Sequence, residues 1–172
     1  MTVRRSRDAL LRACEQIVST VDIPDPFDVT AFVAGVAAVR GRPIELVPLA
    51  ASRGTPCGLL AATDRADYVF YRTDTSPLHQ EHILLHEMGH LVCGHTGSGE
   101  LSEAIAAALL PNLSAALVRR VLGRTVYARR QEQEAELVAS LIMHRVRRRV
   151  PGTPVSGELA RLRSAFGSGA GR

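Results

Sequence analysis

Residues 76–94 read Ser76-Pro-Leu-His-Gln-Glu-His-Ile-Leu-Leu-His-Glu-Met-Gly-His-Leu-Val-Cys-Gly94. The ends of this stretch are helix punctuation. Ser76 suits a capping position and Pro77 the first turn, where no backbone donor is needed. Gly94 suits the left-handed position past a helix end. Between them Ile83, Leu84, Leu85, Met88, Leu91 and Val92 give a broad apolar surface, so the helix is expected to be largely buried. Into that surface the sequence sets His86-Glu87-Met88-Gly89-His90. Residues four apart share a helix face, so both imidazoles can reach one metal ion. Glu87, one step round from His86, comes close enough to touch a metal-bound water without being a ligand. Bare polar groups in a core are costly, and a metal removes that cost. Two core histidines held by ordinary hydrogen bonds are the plainer reading; the helical setting favours a zinc site.

A catalytic zinc takes three protein ligands and keeps a fourth position for water or substrate. His82 lies one turn before His86, but three ligands spread over two turns of one helix cannot converge tetrahedrally. His95 follows in a loop, His144 stands among arginines, and six positions after His90 lies Thr96 rather than a third histidine. A long helix expected over residues 126–149 offers Glu132, Glu134 and Glu136 instead. Ala135, Val138, Ala139 and Ile142 would face inward, which puts Glu132 at the edge of the buried stripe. Glu136, four residues on, shares its face and can accept the proton on the distal nitrogen of a zinc-bound histidine. Glu132 is therefore the expected third ligand and Glu136 its supporting carboxylate, with Glu134 the alternative ligand.

The remaining sequence sets the frame. At 172 residues the chain fits one domain with a real core. Its 46% hydrophobic and 22% charged residues are those of a globular protein, and the scarcity of aromatics, with no Trp, makes the core mostly Ala, Leu and Val. No apolar run approaches the ~20 residues of a membrane span. The basic start lacks the apolar stretch of a secretory signal, and three widely spaced cysteines argue against a disulfide framework. A cytoplasmic location follows. The net charge of +4 comes largely from Arg4-Arg5-Ser6-Arg7 and Arg145-Val146-Arg147-Arg148-Arg149. No aromatic residues interleave with either cluster, so direct nucleic-acid binding is not the expected role; arginines in a last helical turn complement its dipole.

Helices are expected over residues 3–20, with Leu10, Cys14, Ile17, Val18 and Val21 inward, and 27–39, with Phe32, Val33, Val36 and Val39 inward. Three strands follow, over residues 43–49, 55–63 and 68–71, in a sheet that is mainly antiparallel; Pro43 and Pro48 mark the first as an edge. Short helices are expected over 100–110, 113–122 and 158–166. The organisation is one domain over residues 1–150, with N-terminal helices to residue 40, a catalytic core from 41, and a partly disordered tail over 151–172.

His-Glu-Met-Gly-His, followed by Glu132-Gln-Glu-Ala-Glu136-Leu-Val-Ala-Ser-Leu-Ile-Met143, resembles the ImmA/IrrE family of bacterial metallopeptidases. That family pairs a His-Glu-x-Gly-His helix with a later Glu-x-x-Ala-Asn/Asp-x-Phe-Ala segment, and the likeness covers roughly residues 40 to 145. The resemblance implies an α+β, mostly helical zincin-like domain. His86, His90 and Glu132 would bind Zn2+, Glu87 would be the catalytic base, and the substrate would be a regulatory protein such as a transcriptional repressor. Glu136 stands where Asn or Asp is usual, Val138 where Phe is usual and His144 where Pro is usual. The family's helix-turn-helix segment is not evident, so a DNA-binding partner would be a separate chain.

The expected reaction is zinc-assisted peptide hydrolysis. Glu87 takes a proton from water and passes it to the leaving amine, while Tyr127 or His82 could donate to the oxyanion. The rival, favoured by Glu136, is a catalytically silent zinc-binding module that regulates a partner by binding it.

Overall fold

The computed structural model of the chain describes residues 2–49, 56–62, 65–95, 127–149 and 161. Within them lie four helices and a three-stranded sheet, an α+β arrangement that is mostly helical. In chain order the elements are α1 (Thr2–Thr20), α2 (Val29–Arg40), β1 (Ile44–Leu49), β2 (Gly58–Ala62), β3 (Asp67–Arg72), α3 (Pro77–Val92) and α4 (Arg129–Arg149). The expected helices over 100–110 and 113–122 fall outside the described residues, as does the tail apart from Arg161.

Local chemistry sets most of the boundaries. Asp28 caps α2, its carboxylate accepting from the Ala31 N–H at 2.7 Å, and Gly41 closes it in the left-handed region at φ 66°. Ser76 caps α3 by accepting from the His79 N–H. At the start of α4, Gln131 reaches back to accept from the Ala128 N–H at 2.9 Å, one half of a capping box. The end of α1 is closed by its own hydroxyls, Ser19 donating to the Gln16 carbonyl and Thr20 to that of Ile17.

The sheet has the order β1-β3-β2 and is mixed. β2 pairs antiparallel with β3, as expected for the sheet as a whole, whereas β1 pairs parallel with it, Ile44 opposite Asp67 through Leu49 opposite Arg72. β1 is an edge, as expected from Pro43 just before it and Pro48 within it. The order follows from burial. Val69 and Phe70, neighbours on β3 and so on opposite faces of the sheet, are both fully buried, which suits a central strand, while β1 keeps Glu45 and Pro48 exposed. Alternation along β1 is the same whichever way its partner runs, so the sequence pattern does not specify direction.

The core joins Leu11, Cys14 and Val18 of α1, Phe32, Val33 and Val36 of α2, Leu60 and Val69 of the sheet, and the inward faces of α3 and α4. Val39, expected among these, is 89% exposed. It lies one residue before the end of α2, where the inward stripe of Phe32, Val33 and Val36 has already run out. α4 packs against α1 on one side and α3 on the other. Its terminal arginines serve this packing: Arg145 Nη1 donates to the Val18 carbonyl at 2.5 Å and Arg149 Nη1 to the Ile23 carbonyl at 2.7 Å. Two members of the basic run thus hold carbonyls at and beyond the end of α1, a more specific use than complementing their own helix dipole.

Candidate metal centre

α3 and α4 meet at their backbones. Gly89 lies against Ala135 so closely that a Cβ on Gly89 would fall 2.7 Å from the Ala135 carbonyl oxygen and 3.0 Å from its Cα. Glycine on one helix facing alanine on the other permits this approach. It matters because His86 and His90 flank Gly89, while Glu132 lies just under one turn before Ala135.

Three donor atoms converge there. His86 Nε2 lies 3.2 Å from His90 Nε2 and 3.3 Å from Glu132 Oε2, and His90 Nε2 lies 3.8 Å from Glu132 Oε1. Tetrahedral zinc with bonds of about 2.0–2.2 Å sets its ligands roughly 3.3–3.5 Å apart, close to these separations. Among the described residues this is the one group of His, Cys, Asp and Glu side chains arranged to hold a metal ion. The donors grade from inside to out, the His90 side chain being 1% exposed, that of His86 23% and that of Glu132 47%.

The proton count of the surrounding groups bears on what fits between them. His86 Nδ1 lies 3.4 Å from Glu136 Oε2, a carboxylate that can only accept. His95 Nε2 lies 2.9 Å from Glu134 Oε2, so that nitrogen carries a hydrogen and His95 Nδ1, in the neutral ring, accepts. His90 Nδ1, 3.0 Å from His95 Nδ1, is then the donor of that pair. With hydrogens on both Nδ1 atoms, the neutral forms of the two rings turn lone pairs at Nε2 toward each other and toward the Glu132 carboxylate. A proton there bridges one pair of atoms only; a metal ion bonds all three. The donor set fits a metal ion.

The cleft over these atoms, about 390 Å³, is lined by Cys57, by Gly58 and Leu59 of β2, by Glu87, and by Tyr127. Burial raises the Glu87 carboxyl to about 7, with His86 opposing and Glu132 adding to the shift. A Cβ at Gly58 would fall 2.5 Å from Glu87 Oε1, so the bare glycine leaves this carboxyl its room. Burial, with His86 and His95 beside it, lowers His90 to about 3, which keeps the ring neutral. Burial pushes Glu136 up, but its bonds to His82 and His86 outweigh that and lower it to about 2.

Tyr127 lies flat on His90, ring centroids 3.6 Å apart and 17° from parallel, and burial raises its hydroxyl so that it keeps its proton. His82 Nε2 sits 3.2 Å from Glu136 Oε2 and is raised mainly by that bond. Glu136 therefore gathers His82 and His86 together, on the far side of the His86 ring from the metal donors, and its length does not crowd them. Glu134, the alternative ligand, is engaged by His95 and by Arg130 Nε at 3.0 Å.

Sequence reasoning set His95 aside as a ligand and missed its place beside one. The signal was Gly94, at φ 68°. The Gly94 N–H donates to the Leu91 carbonyl and the His95 N–H to that of His90, the two bonds of a Schellman closure. That closure folds His95 back over the helix it has just left. Among the described residues no helix is long and apolar enough to cross a membrane. No family model matches the chain, and no curated protein matches it.

Proposed function

We propose that this protein is a zinc metallo-endopeptidase of the ImmA/IrrE type. The observation that carries the reading is the convergence of His86, His90 and Glu132 on one point, with the buried Glu87 carboxyl in the same cleft. His86, His90 and Glu132 would hold a zinc ion, whose Lewis acidity would lower the pKa of water from ~15.7 to about 7. Glu87, with a pKa near 7, is matched to take a proton from water and return it to the leaving amine at neutral pH. Tyr127, protonated and lining the cleft, is the donor available to a developing oxyanion; His82 is tied to Glu136. β2 is an outer strand along the same cleft, so an extended peptide can add to it as a further strand. The resemblance in sequence points to a regulatory protein, such as a separate transcriptional repressor, as substrate.

The test separates metal binding from turnover. The purified chain should carry one zinc and hydrolyse a peptide library, and Glu87→Gln should keep the zinc while losing roughly 10²–10⁴-fold in rate. Zinc binding with no hydrolysis by the wild type, and partner binding unchanged in Glu87→Gln, would instead establish the catalytically silent module.

A further inference from the structure

Beyond the three donors, a second line of side chains runs from α4 through the end of α3 to His90. Arg130 Nε lies 3.0 Å from Glu134 Oε1; Glu134 Oε2 lies 2.9 Å from His95 Nε2; His95 Nδ1 lies 3.0 Å from His90 Nδ1. Its inner members are shielded, the His95 side chain being 6% exposed and that of Glu134 22%, while Arg130 is at the surface. His86 has its own carboxylate, Glu136, in direct contact at Nδ1. Among the described residues His90, the most deeply buried donor, has none at that position; its Nδ1 is reached through a second imidazole.

Resting on the metal-centre reading, we propose that His95 and Glu134 are positioning residues that fix the Nδ1–H tautomer of His90, so that its Nε2 lone pair is held toward the metal. The logic is that of directional acceptors. A carboxylate accepts and cannot donate, so Glu134 fixes the hydrogen of His95 on Nε2. In the neutral ring that leaves His95 Nδ1 an acceptor, which in turn fixes the hydrogen of His90 on Nδ1. Groups of this kind set ring orientation and ligand basicity at metal sites, and their loss costs about 10- to 100-fold in metal affinity. The backbone contributes as well. Gly94 supplies the reversal that brings His95 over His90, with its own N–H and that of His95 closing the helix.

Two measurements on the full chain test this. The first is zinc affinity, by competition with a chromophoric chelator. His95→Ala should weaken zinc by about 10- to 100-fold, and Glu134→Gln, whose amide can accept from His95 Nε2 or donate to it, by less. His95→Asn, whose amide oxygen can still accept from His90 Nδ1–H, should recover part of the loss. The second is the tautomer of His90 in metal-free protein, read from long-range proton–nitrogen correlations of the ring. It should be Nδ1–H in the wild type and shift toward Nε2–H in His95→Ala. Folding of each variant is checked by its backbone amide spectrum, and Glu134→Gln preserves shape where His95→Ala removes a ring. Wild-type zinc affinity retained within twofold in His95→Ala, or an unchanged His90 tautomer in that variant, overturns the proposal and leaves the metal centre standing. A wild type that binds zinc no better than His90→Ala overturns the metal-centre reading, and the tautomer still decides whether His95 directs His90.

Discussion

Replacing Gly89 with alanine adds one methyl group at the narrowest point between α3 and α4, and the consequences are computable. The new Cβ would sit 2.7 Å from the Ala135 carbonyl oxygen and 3.0 and 3.2 Å from its Cα and carbonyl carbon. All three are backbone atoms of a helix, so no rotamer change relieves the contact. Opening the shortest one to roughly 3.4 Å moves the helices apart by about 0.7 Å locally, against a tolerance of about 0.2 Å in metal–ligand distances. Overpacking of this kind costs about 1–3 kcal/mol, and the better helix propensity of alanine returns about 1 kcal/mol. Net destabilisation should therefore be modest, about 0–2 kcal/mol, while zinc affinity falls at least tenfold, or about 1.4 kcal/mol. Urea unfolding of the metal-free chain reads the first quantity and chelator competition the second. Gly35→Ala is the control: it lies in α2 with nothing within 4 Å of its Cβ position. It should gain up to about 1 kcal/mol and leave zinc binding unchanged. A Gly89→Ala chain as stable as the wild type, with the same zinc affinity, would show that the close helix approach does not set the ligand geometry.

Zinc at 100 times its dissociation constant should stabilise the wild type by about 2.7 kcal/mol; a thermal shift abolished by chelation and absent in His90→Ala checks it. The metal-free protein should weaken on acidification through His90. Its folded pKa of about 3 lies below the unfolded 6.5, so below 6.5 only the unfolded chain takes up that proton. Stability is then lost as pH falls toward 3. Between pH 7 and 5 the wild type should lose about 2 kcal/mol more than His90→Asn in urea unfolding. Arg145→Ala removes the charged donor to the Val18 carbonyl. It should cost about 1.5–3 kcal/mol by the same assay, with zinc affinity preserved.

The site was legible because its members follow helical periodicity. His86 and His90 share a face by spacing alone, and Glu132 and Glu136 do so on the second helix, with Ala135 and Ala139 marking the side turned inward. Ser76, Pro77 and Gly94 announced the ends of α3 through their backbone chemistry. What lay beyond the sequence was long-range. The parallel pairing of β1 with β3 depends on which neighbour a strand meets, and side-chain alternation is blind to that. Val39 matched the apolar stripe of α2, yet the contact ends before it. His95 looked like a stray loop histidine because its partner is set by a chain reversal that brings it back onto His90.

The N-terminal helix supplies none of the three donor atoms, yet it bears on them. Leu11, Cys14 and Val18 are buried in the same core as Leu137, Val138 and Leu141, and the Cys14 thiol lies against the Glu134 carbonyl. α1 is thus a buttress behind the carboxylate-bearing helix. Trimming residues 1–25 would strip one flank from α4 and loosen Glu132 from behind, at a distance from the candidate donor atoms themselves.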